Sequence, residues 1–247
     1  MGYINRIGGA GEQGLAAMRA AVKALGPTLL LDADLIAGND GDAIGTWADD
    51  SGNAHNFSQA TPGYKPLLKK AANGINGHNV LHFDGVDDKF ESDAKCSNFI
   101  TTTADTFWVV FKILSIDSNA TPYIQNNDAA ILFGVYRGLV FRSAPTALSF
   151  TNDYVVYPKA AVVSISTSIA YIARARHSGD DVYLALNGGS EASSYSPGVS
   201  SNISGAAASI GTSAYIDIAE IIVFNSALSA ADMQVVDAYL KAKYATY

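Results

Sequence analysis

Glu220 is the residue whose position in the sequence most clearly suggests chemistry. It lies in a run of alternating apolar residues, and in a regular strand it would share one face with Ile218, Ile222 and Phe224. A carboxylate on an apolar face must be hydrogen-bonded or paired with a cation. Glu220 is therefore predicted to be a metal ligand, an acid in a site, or a structural acceptor for loop amides or for a base such as Arg174.

Asp217 and Glu220 come closest to the spacing of a hydrolytic pair. Retaining glycoside hydrolysis needs two carboxylates about 5 Å apart, one as acid and one as nucleophile. Side chains alternate along a strand, so residues three apart should point to opposite faces. This spacing makes a glycoside hydrolase the least favoured hypothesis, and we expect that the chain is not an enzyme. His78 and His82 lie roughly 13 Å apart along a strand, so they should not share a metal ion.

Two segments combine aromatic side chains with amides or carboxylates, which is the chemistry that binds sugars. Aromatic faces stack on sugar rings, while amides and carboxylates hydrogen-bond hydroxyl groups. The residues are Tyr123, Gln125 and Asn126 in one segment, and Asp153, Tyr154 and Tyr157 in the other. Both segments are predicted loops and candidate glycan sites, and ordinary loop composition is the alternative explanation.

The composition is that of a folded, acidic domain. Hydrophobic residues make up 49% of the 247 residues, which allows a sizeable core, and the formal net charge is −7. This charge repels a phosphate backbone and an anionic membrane, so neither is an expected partner. No apolar run approaches the roughly 18 residues of a membrane span. The residues after Met1 do not resemble a signal peptide, so synthesis in a cytoplasm is expected.

Strands with turns between them dominate the sequence from residue 28 onward. Apolar or alternating runs occur at 28–32, 78–83, 106–114, 130–136, 138–142, 161–166, 169–176, 182–186 and 214–224. Residues 189–205, rich in Gly and Ser, are predicted to be a long loop or a weak edge strand. Many short strands without intervening helices predict an all-β fold, an antiparallel sandwich of two sheets.

Residues 1–27 are predicted to form a helical arm ahead of a domain that spans residues 28–247. An apolar seam recurs at helical spacing and ends before Gly26 and Pro27. The seam consists of Leu15, Met18, Val22 and Leu25. It is predicted either to pack on its own sandwich or to dock on a partner or a second copy, which would make the chain oligomeric or bound in an assembly.

A second helix is predicted at the C-terminal end. Ser229 and Asp232 have the spacing of a capping box, with Asp in place of the usual Glu or Gln. Val235, Tyr239 and Leu240 follow at intervals that place them on one apolar face.

Four motifs share their order with a known superfamily. They are Leu30-Leu31-Asp32-Ala33-Asp34, Trp47 with Asp50-Ser51-Gly52-Asn53, Phe83-Asp84-Gly85-Val86-Asp87-Asp88, and Ile218-Ala219-Glu220 followed by Asn225 and Ala227-Leu228-Ser229. From about residue 29 to 244, this order resembles the concanavalin A-like lectin/glucanase superfamily of laminin-G-like domains. The resemblance implies a jelly-roll form of the predicted sandwich.

The resemblance also bears on the site. The fold hosts lectins, hydrolases and interaction modules, so it does not define a function. Members that cleave glucans carry Glu-x-Asp-x-Glu on one strand, and this chain has no such triplet. Some members bind Ca²⁺ near the Phe-Asp-Gly turn and the last strand, which makes Asp84 and Glu220 candidate calcium ligands. No cofactor is expected to be required.

Members of this superfamily occur in bacteriophage virions and on bacterial surfaces. The leading hypothesis is a non-catalytic structural or interaction protein on the surface of a virion, as a capsid decoration, head fibre or tail-associated module. It would contact other virion proteins or itself through residues 1–27 and would bind glycans weakly. The alternative is a carbohydrate-binding module of a bacterial surface protein that is exported by a non-classical route.

Overall fold

The computed structural model describes most of the chain. The described ranges are 5–101, 103–115, 130–132, 138–143, 146–151, 161–195, 207–211 and 215–245. Within them, the helices are α1 (Asn5–Ala24) and α2 (Ala230–Tyr244). The strands are β1 (Leu29–Asp32), β2 (Thr46–Trp47), β3 (Phe57–Ser58), β4 (Leu67–Lys69), β5 (Val80–Asp84), β6 (Phe90–Lys95), β7 (Ala104–Ile113), β8 (Ala130–Leu132), β9 (Gly138–Ser143), β10 (Thr146–Thr151), β11 (Ala161–Ser164), β12 (Ala170–Ser178), β13 (Asp181–Leu186), β14 (Ala192–Tyr195), β15 (Ala207–Ile210) and β16 (Tyr215–Phe224).

The described strands pair in antiparallel fashion into one large sheet and two small ones. The large sheet has the order β14-β13-β12-β7-β16-β5-β4. β1 also pairs with β16, next to the stretch that pairs with β5. The small sheets have the orders β11-β10-β9-β8 and β15-β6-β3-β2. β16 is therefore a central strand, with β7 on one side and β5 and β1 on the other.

The large sheet packs on the small sheets through an inner core. Fully buried aromatic side chains fill this layer, among them Trp47, Phe57, Phe90, Phe107 and Phe111. The predicted all-β, antiparallel sandwich with a helix at each end is therefore confirmed. Its assignment to the jelly-roll, concanavalin A-like type stays a prediction.

The two helices form a third layer on the outer face of the large sheet. Val22 of α1 and Val236, Tyr239 and Leu240 of α2 pack on buried residues of the sheet such as Trp108. The other seam residues pack against the same outer core while only partly buried; they are Leu15, Met18 and Leu25. The α1 seam thus contacts the chain's own sandwich, and docking of residues 1–27 on a partner stays a prediction.

The helix ends follow the sequence signals to different degrees. Ser229 caps α2 as predicted, since its hydroxyl oxygen accepts a hydrogen bond from the amide of Asp232 at 3.1 Å. α1 begins at Asn5, ten residues before Leu15 of the seam, and it continues through the glycine-rich stretch Gly8-Gly9-Ala10-Gly11. In the part of the chain that the structure describes, no helix has the length and apolar character to cross a membrane.

A β-bulge interrupts β16. Ile218 lies opposite Phe111 of β7, whereas Glu220 lies opposite the adjacent residue, Val110, so that Ala219 is an extra residue in the strand. Such an insertion shifts the alternation of all side chains that follow it.

The bulge changes the faces that the sequence predicts. Ile216 and Ile218, before it, face the inner core, whereas Ile222, after it, packs in the outer core. Asp217 and Glu220 consequently both lie on the outer face. The prediction that they point to opposite faces is wrong, because it assumed uninterrupted alternation.

We expect Val22→Ala to lower the free energy of unfolding by about 2 kcal/mol, since it removes two buried methyl groups from the outer core. Urea unfolding followed by circular dichroism measures this change. The matched control is Val86→Ala, because Val86 is 75% exposed. Equal, near-zero effects of the two substitutions would contradict the packing of α1 on the sheet.

Candidate functional site

Glu220 lies at the centre of a buried polar cluster beneath α2. Its side chain is 0% exposed. Its carboxylate accepts hydrogen bonds from Lys243 Nζ at 2.9 Å, from the Tyr244 hydroxyl at 2.9 Å and from the Tyr239 hydroxyl at 3.0 Å. Glu220 is therefore a structural acceptor, and the base that it binds is Lys243 and not Arg174.

Asp32 is the second carboxylate of this cluster. Lys243 Nζ lies 2.8 Å from Asp32 Oδ2, and the Arg19 guanidinium donates to the same oxygen. Arg19 also donates to the Tyr239 hydroxyl at 2.8 Å and lies 3.7 Å from Glu220. We call Arg19, Asp32, Glu220, Tyr239 and Lys243 the buried charge network. It joins α1, α2, β1 and β16.

The charges of the network balance. Burial raises the pKa of Glu220, and the neighbouring Asp32 carboxylate adds to this effect. Burial lowers the pKa of Lys243, but the attraction of Glu220 and Asp32 outweighs it and raises that pKa, so the ammonium group stays charged. Two carboxylates thus face the two cations Arg19 and Lys243. Asp32 and Glu220 are buried and paired with cations, an arrangement that holds elements together and leaves neither carboxylate open to a substrate.

Arg19 and Lys23 extend the network to the surface through Asp50. Arg19 lies 2.9 Å and Lys23 3.1 Å from Asp50 Oδ2. The adjacent Asp49 accepts hydrogen bonds from the amides of Leu30 and Ser51, each at 2.9 Å. The acidic loop after β2 is therefore a structural turn that also fixes α1.

Asp34 links the network to His78. The Asp34 carboxylate lies 2.7 Å from His78 Nδ1 and accepts a hydrogen bond from the Asn79 amide at 2.8 Å. Burial opposes its ionisation, but the hydrogen bond to His78 and the charge of Lys243 outweigh burial and lower the pKa of Asp34 to about 2. His78 thus pairs with Asp34, whereas His82 pairs with Asp217.

Asp84 begins a tight turn after β5. Its Oδ1 atom accepts hydrogen bonds from the amides of Val86 at 2.8 Å and Asp87 at 3.3 Å. Asp88 closes the turn by accepting from the Asp84 amide at 3.0 Å. Burial, with repulsion from the Asp84 and Asp87 carboxylates, raises the pKa of Asp88 to about 6. These carboxylates build the turn through local hydrogen bonds, as Asp residues in turns commonly do.

The predicted calcium pair of Asp84 and Glu220 does not form. Asp84 lies opposite Tyr215 at the start of β16, and Glu220 is five residues farther along that strand. At about 3.3 Å per residue, the two are separated by roughly 16 Å and cannot share one ion. Glu220 is also fully occupied by Lys243, Tyr239 and Tyr244.

A second polar cluster lies on the outer face of the sheet, beyond the buried charge network. His82, Asp217 and Lys112 form a row across the adjacent strands β5, β16 and β7. Asp217 Oδ1 lies 2.8 Å from His82 Nδ1, and Asp217 Oδ2 lies 3.1 Å from Lys112 Nζ. Asp84 and Tyr215 pair in the next row, and the Tyr215 ring contacts the His82 ring edge-to-face at 5.4 Å. These five residues are the Tyr215 patch.

The Tyr215 patch begins where the buried outer core ends. Val80 and Val110, one row closer to α2, are fully buried. Tyr215 is 41% exposed, and His82 and Lys112 are partly exposed. The patch therefore offers an aromatic ring, an ammonium group, an imidazole nitrogen and a carboxylate at the surface, a set of groups that can bind a polar ligand by stacking and hydrogen bonds.

Sequence reasoning missed the Tyr215 patch. It considered His82 only as a partner of His78, and Asp217 only as a partner of Glu220. The available signal was the two-residue spacing of His82 and Asp84 and of Tyr215 and Asp217, which places each pair on one face of a strand. Nothing in the sequence specified that β5 and β16 lie side by side.

The predicted glycan residues lie outside the described part of the chain. They are Tyr123, Gln125, Asn126, Asp153, Tyr154 and Tyr157. Their role in binding stays a prediction.

Arg174 contacts α2 at a different position from the buried charge network. It pairs with Asp237 of α2 and lies 3.3 Å from Glu191. The Trp108 indole donates to the same Asp237 carboxylate at 2.7 Å. Asp237 therefore fixes the first half of α2 on β7 and β12, while Lys243 fixes its end.

Comparison with known proteins finds similarity in structure alone. No protein-family model matches the chain, and no curated protein matches its sequence. The receptor-binding domain of botulinum neurotoxin D is similar to it with a TM-score of 0.62 at 13% identity, over 88% of this chain and 53% of that chain. The binding domain of Paraclostridial Mosquitocidal Protein 1 is similar with a TM-score of 0.60 at 11% identity, over 88% and 52%.

A third similar structure is a complex. It is the ligand-binding domain of botulinum neurotoxin serotype D with N-acetylneuraminic acid, with a TM-score of 0.55 at 14% identity, over 90% of this chain and 52% of that chain. The chain thus spans about half the length of these solved chains. Similarity at this level of identity establishes a shared β-sandwich fold.

We expect Lys243→Met to lower the free energy of unfolding by about 3–5 kcal/mol, because it leaves the carboxylates of Asp32 and Glu220 buried with one fewer cation. Chemical denaturation measures the effect. Lys95→Met is the control, since Lys95 is exposed. A loss of unfolding free energy below about 1 kcal/mol would contradict the buried pairing of Lys243 with the two carboxylates.

A second expectation concerns pH. The pKa of Asp34 in the folded protein, about 2, is below its ordinary value of 3.8, so its ionised form stabilises the fold above pH 4 and this contribution is lost as the pH falls toward 2. Asp34→Asn should therefore be less stable than the unsubstituted protein at pH 5, and the difference should shrink by pH 2. Denaturant unfolding at each pH tests this, with the exposed Asp93→Asn as control. A difference that does not change with pH would refute the assignment.

Proposed function

We propose that this chain is a non-catalytic recognition domain whose β-sandwich binds glycans. The observation that carries the proposal is the fold similarity to toxin domains whose names describe binding, at TM-scores of 0.60 and 0.62 over 88% of the chain. One similar domain was solved with N-acetylneuraminic acid, which is a sugar. This supports the glycan-binding part of the sequence-based hypothesis over its enzymatic alternative.

The arrangement of the carboxylates supports a non-catalytic role. A glycosidase needs two carboxylates that flank a substrate at a defined separation. Asp217 and Glu220 share the outer face, but Asp217 is held by His82 and Lys112, and Glu220 is enclosed in the buried charge network. Neither carboxylate of this pair is therefore left to act as acid or nucleophile in an open cleft.

A second candidate function is attachment to a larger assembly. The placement on a virion surface follows from the family resemblance and stays a proposal. The observation that favours an attachment role is the length of α1, which begins at Asn5, ten residues before Leu15 of the apolar seam. The part of α1 before Leu15 would make this attachment, while Leu15, Met18, Val22 and Leu25 pack on the sandwich.

The proposed function predicts saturable glycan binding by the intact chain. A glycan array with the labelled protein should give a reproducible set of bound glycans, and titration calorimetry with the best of them should confirm one class of site. The thermally unfolded chain is the control for non-specific adsorption. If no glycan binds above the level of this control, the domain has a different ligand.

A further inference from the structure

We propose that the Tyr215 patch is the glycan subsite of this domain and that it selects uncharged sugars. This inference rests on the proposed function and adds to it a location and a ligand class. The five residues of the patch, His82, Asp84, Lys112, Tyr215 and Asp217, come from three adjacent strands of the large sheet.

The geometry of the patch matches the size of a small ligand. Neighbouring strands are about 5 Å apart and alternate residues about 7 Å apart, so two rows across three strands cover roughly 10 Å by 7 Å. The first row is His82, Asp217 and Lys112, and the second contains Asp84 and Tyr215. A sugar ring that rests on Tyr215 would reach the polar groups of both rows.

The backbone around the patch is constrained. Gly85 has a φ of +76° and lies so close to Tyr215 that an added Cβ would be 3.0 Å from the Tyr215 backbone nitrogen and Cβ. Tyr215 is further held by the hydrogen bond from the Leu114 amide to its carbonyl oxygen, at 3.0 Å. A ring that is exposed on a constrained backbone loses little conformational freedom when a ligand stacks on it.

Asp217 orients the two nitrogen groups of the patch. Its side chain is 5% exposed and holds His82 Nδ1 on one oxygen and Lys112 Nζ on the other. His82 Nε2 makes no hydrogen bond within the described residues, and the ammonium group of Lys112 retains further protons. Because Nδ1–H donates to Asp217, Nε2 of the neutral His82 ring can accept from a sugar hydroxyl, while Lys112 can donate to one, so Asp217 is a positioning residue.

Asp84 supplies a further acceptor. Its Oδ1 atom is occupied by the amides of the turn, whereas Oδ2 accepts no hydrogen bond within the described residues. A carboxylate oxygen together with a nitrogen donor suits adjacent hydroxyl groups, which each donate and accept.

The charge around the patch decides between neutral and acidic sugars. Asp84, Asp87, Asp88 and Asp217 contribute four carboxylates, while Lys112 and His82 are the basic groups that face them. The whole chain has a net charge of −7. A sugar that carries its own carboxylate would be repelled by this surplus, so uncharged hexoses fit better. This preference differs from the ligand of the similar botulinum domain, an acidic sugar.

The test compares variants of the full chain on one array of neutral glycans and their sialylated counterparts. Tyr215→Ala should weaken binding of the best neutral glycan by at least about tenfold, and Lys112→Met should also weaken it. Tyr195→Ala is the matched control, because Tyr195 is 57% exposed on β14, at the opposite edge of the large sheet from β4, and it should bind as the unsubstituted protein does. Urea unfolding of each variant separates lost binding from lost folding.

A measurement on the unsubstituted protein does not depend on any variant. Titration with the best neutral glycan should shift the NMR resonances of the His82 ring, and it should leave those of His55 unchanged. If glycans bind the unsubstituted protein and the Tyr215→Ala variant equally well, and the His82 resonances do not shift, the patch is not the subsite. The proposed function would then still stand. If sialylated glycans bind better than neutral ones, the inferred ligand class is wrong. If no glycan binds the unsubstituted protein, the proposed function itself fails.

Discussion

The buried charge network is the interaction on which the arrangement of the other layers depends. Asp32 of β1 and Glu220 of β16 are buried beneath the helices, and each would be unstable there without a cation. Arg19 comes from α1 and Lys243 from α2, so two cations balance the two carboxylates only when both helices are docked. Apolar packing is non-directional, whereas these ion pairs and hydrogen bonds also require defined distances between the helices and the sheet.

The bulge at Ala219 and Glu220 divides the outer face of the large sheet. On one side of it, Glu220 and Ile222 lie beneath the helices. On the other side of the bulge, Asp217 lies at the edge of the region that the helices cover, where it pairs with His82 and Lys112. One inserted residue thus places two carboxylates of a single strand on the same face with different surroundings. The first stabilises the fold, and the second orients groups that are accessible to a ligand.

The fold and the Tyr215 patch support different parts of the proposed function. The sandwich is shared with toxin binding domains at 11–14% identity, a level at which residues at a site are not inherited. The proposal that the chain binds glycans therefore takes its direction from the fold and its location from the chemistry of the Tyr215 patch. The acidic surroundings of that patch then suggest a ligand different from the sugar in the similar complex.

The sequence by itself determined the class of the fold and many of its elements. Alternation and turn residues predicted β5, β7, β13 and β16 within a few residues, and Ser229 marked the start of α2, because these signals are local. It also indicated that Glu220 needs a partner. The short strands β2, β3 and β4 have too few residues for a periodic signal and were not predicted.

Tertiary structure alone decided which residues meet. Lys243 is 23 residues from Glu220 and 211 from Asp32 in the chain, and His82 is 135 residues from Asp217. Their contacts depend on strand order and helix docking, which local spacing does not encode. The bulge was equally hidden, since Ile218, Ala219 and Glu220 read as regular alternation until β7 fixes the register. Both clusters therefore arise from pairings between distant segments. The sequence shows that these residues are polar, but it does not show that they are close in space.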